Sequence, residues 1–127
     1  MAQPAGLLYS KDHEWVKLDG DVATVGITDY AQSSLGDIVY VELPRIGAAL
    51  AQFGNIGVVE SVKAVSDLFN PIGGEVLEVN GDLESDPALL NREPFAGGWL
   101  YKVRVTDAGE RANLLGPDAY DALIAQA

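Results

Sequence analysis

The chain of 127 residues has no cysteine, one histidine, one methionine, and eight basic residues against nineteen acidic ones. Without cysteine there is no disulfide framework, no thiolate metal site and no cysteine nucleophile. The single histidine, His13, stands beside a strand pattern with no serine or cysteine nucleophile motif near it, so it reads as a structural residue. The acids are scattered and form no calcium-loop spacing. No apolar run approaches the roughly 18–20 residues needed to span a bilayer, which argues against a membrane partner. Residues 1–10 (MAQPAGLLYS) lack the basic region and apolar stretch of a secretory signal, and lack the arginines of a mitochondrial presequence. A formal charge of −11 with dispersed lysines and arginines repels phosphate backbones and argues against nucleic-acid binding. The same acidity serves solubility, or steers the protein toward basic docking sites on other proteins.

What is present is an ordinary globular composition, 48% hydrophobic and 21% charged, in a length suited to one domain over residues 1–127. Residues 9–18 (YSKDHEWVKL) and 22–27 (VATVGI) flank Asp19-Gly20 and read as a hairpin. Thr28 is a good N-cap for a short helix over 29–35, and Gly36 suits the left-handed position after it. Residues 37–43 (DIVYVEL) form a dense β run halted by Pro44, 45–54 read as loop, and 55–61 resume as strand. Residues 65–68 return, and 75–79 (EVLEV) end at Asn80-Gly81. Asp86-Pro87 opens a helical turn through Leu90. Residues 99–105 (WLYKVRV) alternate, with Trp99, Tyr101, Val103 and Val105 inward. Trp15 and Trp99 read as core aromatics. Two short helices close the chain over about 107–125, the first with Asp107 and Glu110 at capping-box spacing, the second starting at Pro117 with Tyr120, Leu123 and Ile124 on one face.

Many short strands with turn signals between them predict a sandwich or small barrel with a core of about residues 9–105. A faint internal echo, Gly36-Asp37-Ile38-Val39 against Gly74-Glu75-Val76-Leu77, fits two interlocked β halves.

One of the four lysines, Lys63, sits in the run VVESVKAVSD over residues 58–67, among valines and without glycine, asparagine or proline to mark a turn. A catalytic lysine needs its pKa, ordinarily about 10.4, drawn toward neutrality. Glu60 and Asp67 instead favour the ammonium form. An edge-strand guard against aggregation, plain surface charge and a chemical handle all remain open on these residues alone.

The run Glu60-Ser61-Val62-Lys63-Ala64 resembles the lipoyl-attachment motif of the glycine cleavage H-protein family. His13-Glu14-Trp15-Val16, residues 23–31 (ATVGITDYA), Leu35-Gly36-Asp37, Val41-Glu42-Leu43-Pro44, Gly74-Glu75-Val76 and Gly98-Trp99-Leu100 resemble further hallmarks of that family, in order, over residues 9 to about 124. The resemblance implies a mostly β, lipoyl/biotinyl-type barrel-sandwich hybrid of two antiparallel sheets with short peripheral helices. It implies a non-catalytic carrier with no catalytic residues of its own. Lipoic acid would be amide-linked to Lys63, and Glu60, Ser61, Val62 and Ala64 would be read by the lipoylating enzyme. The partners implied are glycine decarboxylase (P protein), aminomethyltransferase (T protein) and dihydrolipoamide dehydrogenase (L protein). The dithiolane supplies the redox sulfurs, which accords with a carrier lacking cysteine.

Within the same resemblance, Glu14 and Asp67, with Asp12 assisting, are expected to hold the loaded arm by charge-assisted hydrogen bonding to its amine. Their bland alternative is solvated surface acid. A transient carrier is expected to be a monomer, placed in a bacterial cytoplasm or, for a processed chain, the mitochondrial matrix. The competing readings are a lipoyl domain of a 2-oxoacid dehydrogenase, a biotinyl domain, an H-like lipoyl relay or regulatory protein for other lipoylated complexes, and an interaction module whose Lys63 is never modified. The first two are shorter and leave the Trp99 strand and terminal helices without a role.

Overall fold

A computed structural model describes residues 4–126; Met1 to Gln3, part of the segment weighed above as a leader, and Ala127, the last residue of the expected domain, lie outside the described residues. Among the described residues, nine strands form two antiparallel sheets. They are β1 (Leu8–Tyr9), β2 (Glu14–Asp19), β3 (Val22–Ile27), β4 (Ile38–Glu42), β5 (Ala49–Leu50), β6 (Asn55–Ser61), β7 (Val65–Phe69), β8 (Gly74–Val79) and β9 (Tyr101–Val105). The larger sheet runs β1-β2-β3-β9-β8-β5 and the smaller β4-β6-β7. The two-sheet architecture expected above is the one observed. The two segments of the internal echo end in different sheets, β4 in the smaller and β8 in the larger.

Among the described residues, four short α-helices and one 3-10 helix decorate the sheets: α1 (Asp29–Leu35), α2 (Asp82–Ser85), α3 (Leu89–Arg92), the 3-10 segment Ala108–Asn113, and α4 (Pro117–Ala125). None is long and apolar enough to cross a membrane. The principal core gathers Val16, Val25, Ile38, Val59, Leu68, Ile72, Val76, Tyr101 and Val103 from both sheets. Burying side chains of this size stabilises by about 1.5–3 kcal/mol each. A second cluster of Tyr9, Trp15 and Tyr120 pins α4 against β1 and β2.

Several local expectations need correction. The run over 9–18 is two strands, because residues 10–13 turn back on themselves: His13 N–H donates to Ser10 O at 3.2 Å and Ser10 N–H to Glu14 O at 2.8 Å. His13 takes the left-handed conformation there (φ 70°), a position glycine or asparagine usually fills. In the next hairpin Asp19 pairs with Val22, so the loop is Gly20-Asp21 and not Asp19-Gly20. The stretch read as loop over 45–54 contains β5, which sequence alone hides because two residues carry no periodicity. The helical turn expected from Asp86 to Leu90 is α3, shifted to Leu89–Arg92, and α2 precedes it unannounced.

Asp107 does cap its segment, accepting from Gly109 N–H, but Glu110 does not close a capping box. Its Oε1 accepts instead from Gly73 N–H at 2.8 Å, and the segment winds as a 3-10 helix. Trp99 precedes β9 and is only half-buried, packing on the second cluster with Lys102 Nζ 5.1 Å from its ring centre. The caps of α1 are as expected: Thr28 Oγ1 accepts from Ala31 N–H, and Gly36 ends the helix at φ 81°. Pro117 opens α4.

Candidate functional site

Lys63 stands at the turn of the β6-β7 hairpin. Glu60 pairs with Val65, and Ser61 N–H donates to Ala64 O at 2.8 Å, so Val62 and Lys63 alone form the loop. Ser61 makes the turn. Its Oγ accepts from the N–H groups of Lys63 (3.3 Å) and Ala64 (3.1 Å), a serine turn that replaces the usual glycine or asparagine. Among the described residues only His13, Phe53 and four glycines have positive φ, so the tip needs no left-handed residue. This accounts for a turn without conventional punctuation.

The base of the hairpin is held on three sides. β6 is the central strand of its sheet, paired with β4 and β7. Val62 N–H also donates to Asp37 O at 3.0 Å, tying the tip to the segment between α1 and β4. Lys63 is exposed, and no carboxylate among the described residues forms an ion pair with its amine. Its stem lies against Gly36, where a Cβ would sit 3.4 Å from Cε. Val62, 70% exposed, and Val65 flank it with apolar surface in solvent. The structure thus presents a primary amine on a stiff base, the geometry a covalent arm requires. Of the residues expected around it, Val62 and Ala64 are exposed, while Glu60 and Ser61 are half-buried.

The three carboxylates expected near a docked arm differ sharply. Asp12 is exposed in the β1-β2 turn, and Asp67 is exposed on β7 opposite Val58. Glu14 is not a solvated surface acid: it is 3% exposed, at the start of β2. Ser10 Oγ donates to its Oε1 at 2.6 Å, and Phe69 N–H approaches Oε2 at 3.4 Å. Burial pushes the Glu14 carboxyl up to about 8, against the lowering effect of the Ser10 hydrogen bond and with Asp12 adding to the rise. The contact with Phe69 places Glu14 beside the strand that carries Asp67, two residues earlier and so about 7 Å along it. Glu14 thus meets β7 two residues from Asp67, and Asp12 lies before it in the same turn.

Sequence reasoning missed Ser10. Its only signal is a hydroxyl residue four positions before a glutamate across a tight turn. The Nδ1 of His13 lies 2.8 Å from the Tyr120 hydroxyl, and burial lowers its pKa against the raising effect of Asp12.

Comparison with known proteins agrees with this architecture. The sequence profile of the family described as glycine cleavage H-protein matches residues 7–127. The glycine cleavage system H protein of Alcanivorax borkumensis is 53% identical over 121 residues, covering 95% of this chain and 94% of the relative. That of Halothermothrix orenii is 52% identical over 120 residues, covering 94% of each. The crystal structure of a glycine cleavage system H protein from Mycobacterium marinum is 39% identical and superposes with a TM-score of 0.89, covering 97% of this chain and 99% of that one. With a profile spanning nearly its full length and relatives above 50% identity, this chain belongs to the glycine cleavage H-protein family.

Proposed function

We propose that this protein is the lipoyl carrier of glycine cleavage, one carrier domain over residues 1–127 with lipoic acid amide-linked to Lys63. The observation that carries the reading is the exposed amine of Lys63, without an ion pair among the described residues, at the tip of a hairpin whose base is tied to β4 and to Asp37. When bound, the lipoyl group supplies a dithiolane that accepts an aminomethyl unit and undergoes reduction. The protein's own residues supply the platform. Ser61 fixes the turn, and Gly36 leaves room for the lysine stem. Glu60, Ser61, Val62 and Ala64 form the face that a lipoylating enzyme reads. Because Val62 and Val65 leave the amine unobstructed, the arm is free to enter the glycine decarboxylase, the aminomethyltransferase and dihydrolipoamide dehydrogenase in turn.

Between visits, Glu14 and Asp67, assisted by Asp12, hold the amine of the loaded arm. Asp67 is about 13 Å along β7 from Lys63, a span that a lysine stem and a lipoyl chain joined end to end can cover. Glu14 lies just beyond, in a dry setting where a carboxylate-to-ammonium hydrogen bond is stronger than in water.

Intact-mass measurement before and after incubation with a lipoylating enzyme, followed by peptide mapping of residues 55–75, tests the attachment. One lipoyl increment confined to Lys63 is expected. An unmodified chain, or an increment on Lys11, Lys17 or Lys102, overturns it. Reconstitution of the lipoylated protein with glycine decarboxylase then reads the carrier activity.

A further inference from the structure

Glu14 is surrounded by groups that cannot neutralise a negative charge. Asp12 acts on it from its own turn, His13 precedes it with its ring against Tyr30 and Tyr120, Asp67 stands on β7 beside the Phe69 contact, and Tyr101 and Tyr120 face it from β9 and α4. Burial lowers the pKa of His13, against the raising effect of Asp12, and so disfavours its charged form. Among the described residues no lysine or arginine pairs with Glu14. Two other residues donate to its carboxyl, unequally: the Ser10 hydroxyl at 2.6 Å and the Phe69 N–H at 3.4 Å. Ser10 Oγ also accepts from Glu14 N–H at 3.1 Å, which leaves the hydroxyl proton free to be donated to Oε1 once Glu14 is ionised.

We infer that Ser10 is a positioning residue of the arm site, whose hydroxyl fixes the Glu14 carboxyl and allows it to take up negative charge when the cationic end of a loaded arm docks. This rests on the reading of Glu14 as the arm's amine acceptor. With the arm away, the buried Glu14 is held largely as the neutral acid. A hydrogen bond donated to it favours its ionised form. When an ammonium group approaches, Glu14 releases its proton to water, and the resulting carboxylate accepts from the ammonium on one side and from Ser10 on the other. Docking is therefore coupled to proton release, and the loaded state is protected better as pH rises toward the pKa of Glu14. Without Ser10, the carboxylate loses its nearest donor, and the same protection requires a higher pH.

The test uses full-length protein lipoylated at Lys63 and loaded with an aminomethyl group, in wild type, Ser10→Ala, Ser10→Thr and Glu14→Gln forms. Decay of the loaded group is followed from pH 6 to 9, and the Glu14 carboxyl is titrated by carbon-13 NMR in unlipoylated protein. Ser10→Ala is expected to speed decay at pH 7.5 about tenfold, the scale of a hydrogen bond to a charged group. It should also raise the Glu14 titration midpoint by about one pH unit, the equivalent of tenfold. Ser10→Thr, which keeps the hydroxyl, restores both. Fast decay in Glu14→Gln with unchanged decay in Ser10→Ala overturns the role of Ser10 and leaves the arm reading standing. Unchanged decay in Glu14→Gln overturns both. Faster decay in Ser10→Ala with an unmoved Glu14 midpoint also overturns the inference, since the effect would then not pass through the carboxyl. If the alanine variant loosens the turn, Ser10→Thr decides: wild-type decay and midpoint there support the inference, and their loss overturns it.

Discussion

The stem of Lys63 lies across Gly36, and the residue that ends α1 is thereby also the floor under the amine. Gly36 adopts φ 81° and ψ −155°, a region essentially closed to residues with a Cβ. Gly36→Ala is therefore expected to destabilise the fold by about 1–3 kcal/mol. Urea unfolding measures this; a loss below a few tenths of a kcal/mol would contradict the strain argument.

Lys63 makes no ion pair among the described residues, so its charge does little for stability. Lys63→Arg keeps the charge and removes the acylatable amine. It is expected to leave the unfolding midpoint unchanged within about 0.5 kcal/mol and to abolish the lipoyl mass increment. A residual increment would move the attachment site elsewhere.

Glu14 gives stability a defined pH dependence. Its carboxyl is raised from 4.5 to about 8 in the folded protein, mainly by burial. Between those values the folded state holds a proton that the unfolded state has lost. The contribution is complete below the unfolded value and disappears as pH rises through the folded one, at about 1.4 kcal/mol per pH unit. Glu14→Gln mimics the neutral acid and should remove this part of the slope. Denaturant titrations of both proteins at pH 5, 6, 7 and 8 measure the difference, and parallel curves would show that Glu14 ionises normally.

Tyr120 couples the last helix to the turn before Glu14. Its hydroxyl lies 2.7 Å from Thr28 Oγ1 and 2.8 Å from His13 Nδ1, and its ring stacks on Tyr9 at 4.8 Å. Tyr120→Phe keeps the stacking and leaves a partly buried His13 nitrogen without its partner. A loss of about 1–3 kcal/mol is expected, with the chain still folded. Unaltered stability would show that solvent replaces the hydroxyl.

Local signals were legible where one or two adjacent residues decide the outcome. Thr28 and Gly36 bracket α1 because capping is a contact within a single turn. Strands β3, β6 and β8 carry enough β-branched residues to declare themselves. The elements that escaped are those whose stability comes from partners far along the chain. β5 exists because Ala49 and Leu50 pair with Glu75 and Gly74. Glu110 left its expected cap because Gly73 N–H was available 37 residues away. The site divides the same way. Lys63 and its neighbours were visible as a contiguous motif, whereas Ser10 has no motif and matters only through the turn that returns Glu14 to it.

The order of residues by itself determined the β-rich class, the charge of the surface, and the lysine that stands out from its valines, because composition and short-range pattern need no fold to act. Tertiary structure alone decided that Glu14 is dry while Asp12 and Asp67 are wet. Solvent access depends on which distant strands and helices cover a side chain, and three similar carboxylates acquire different chemistry from that cover.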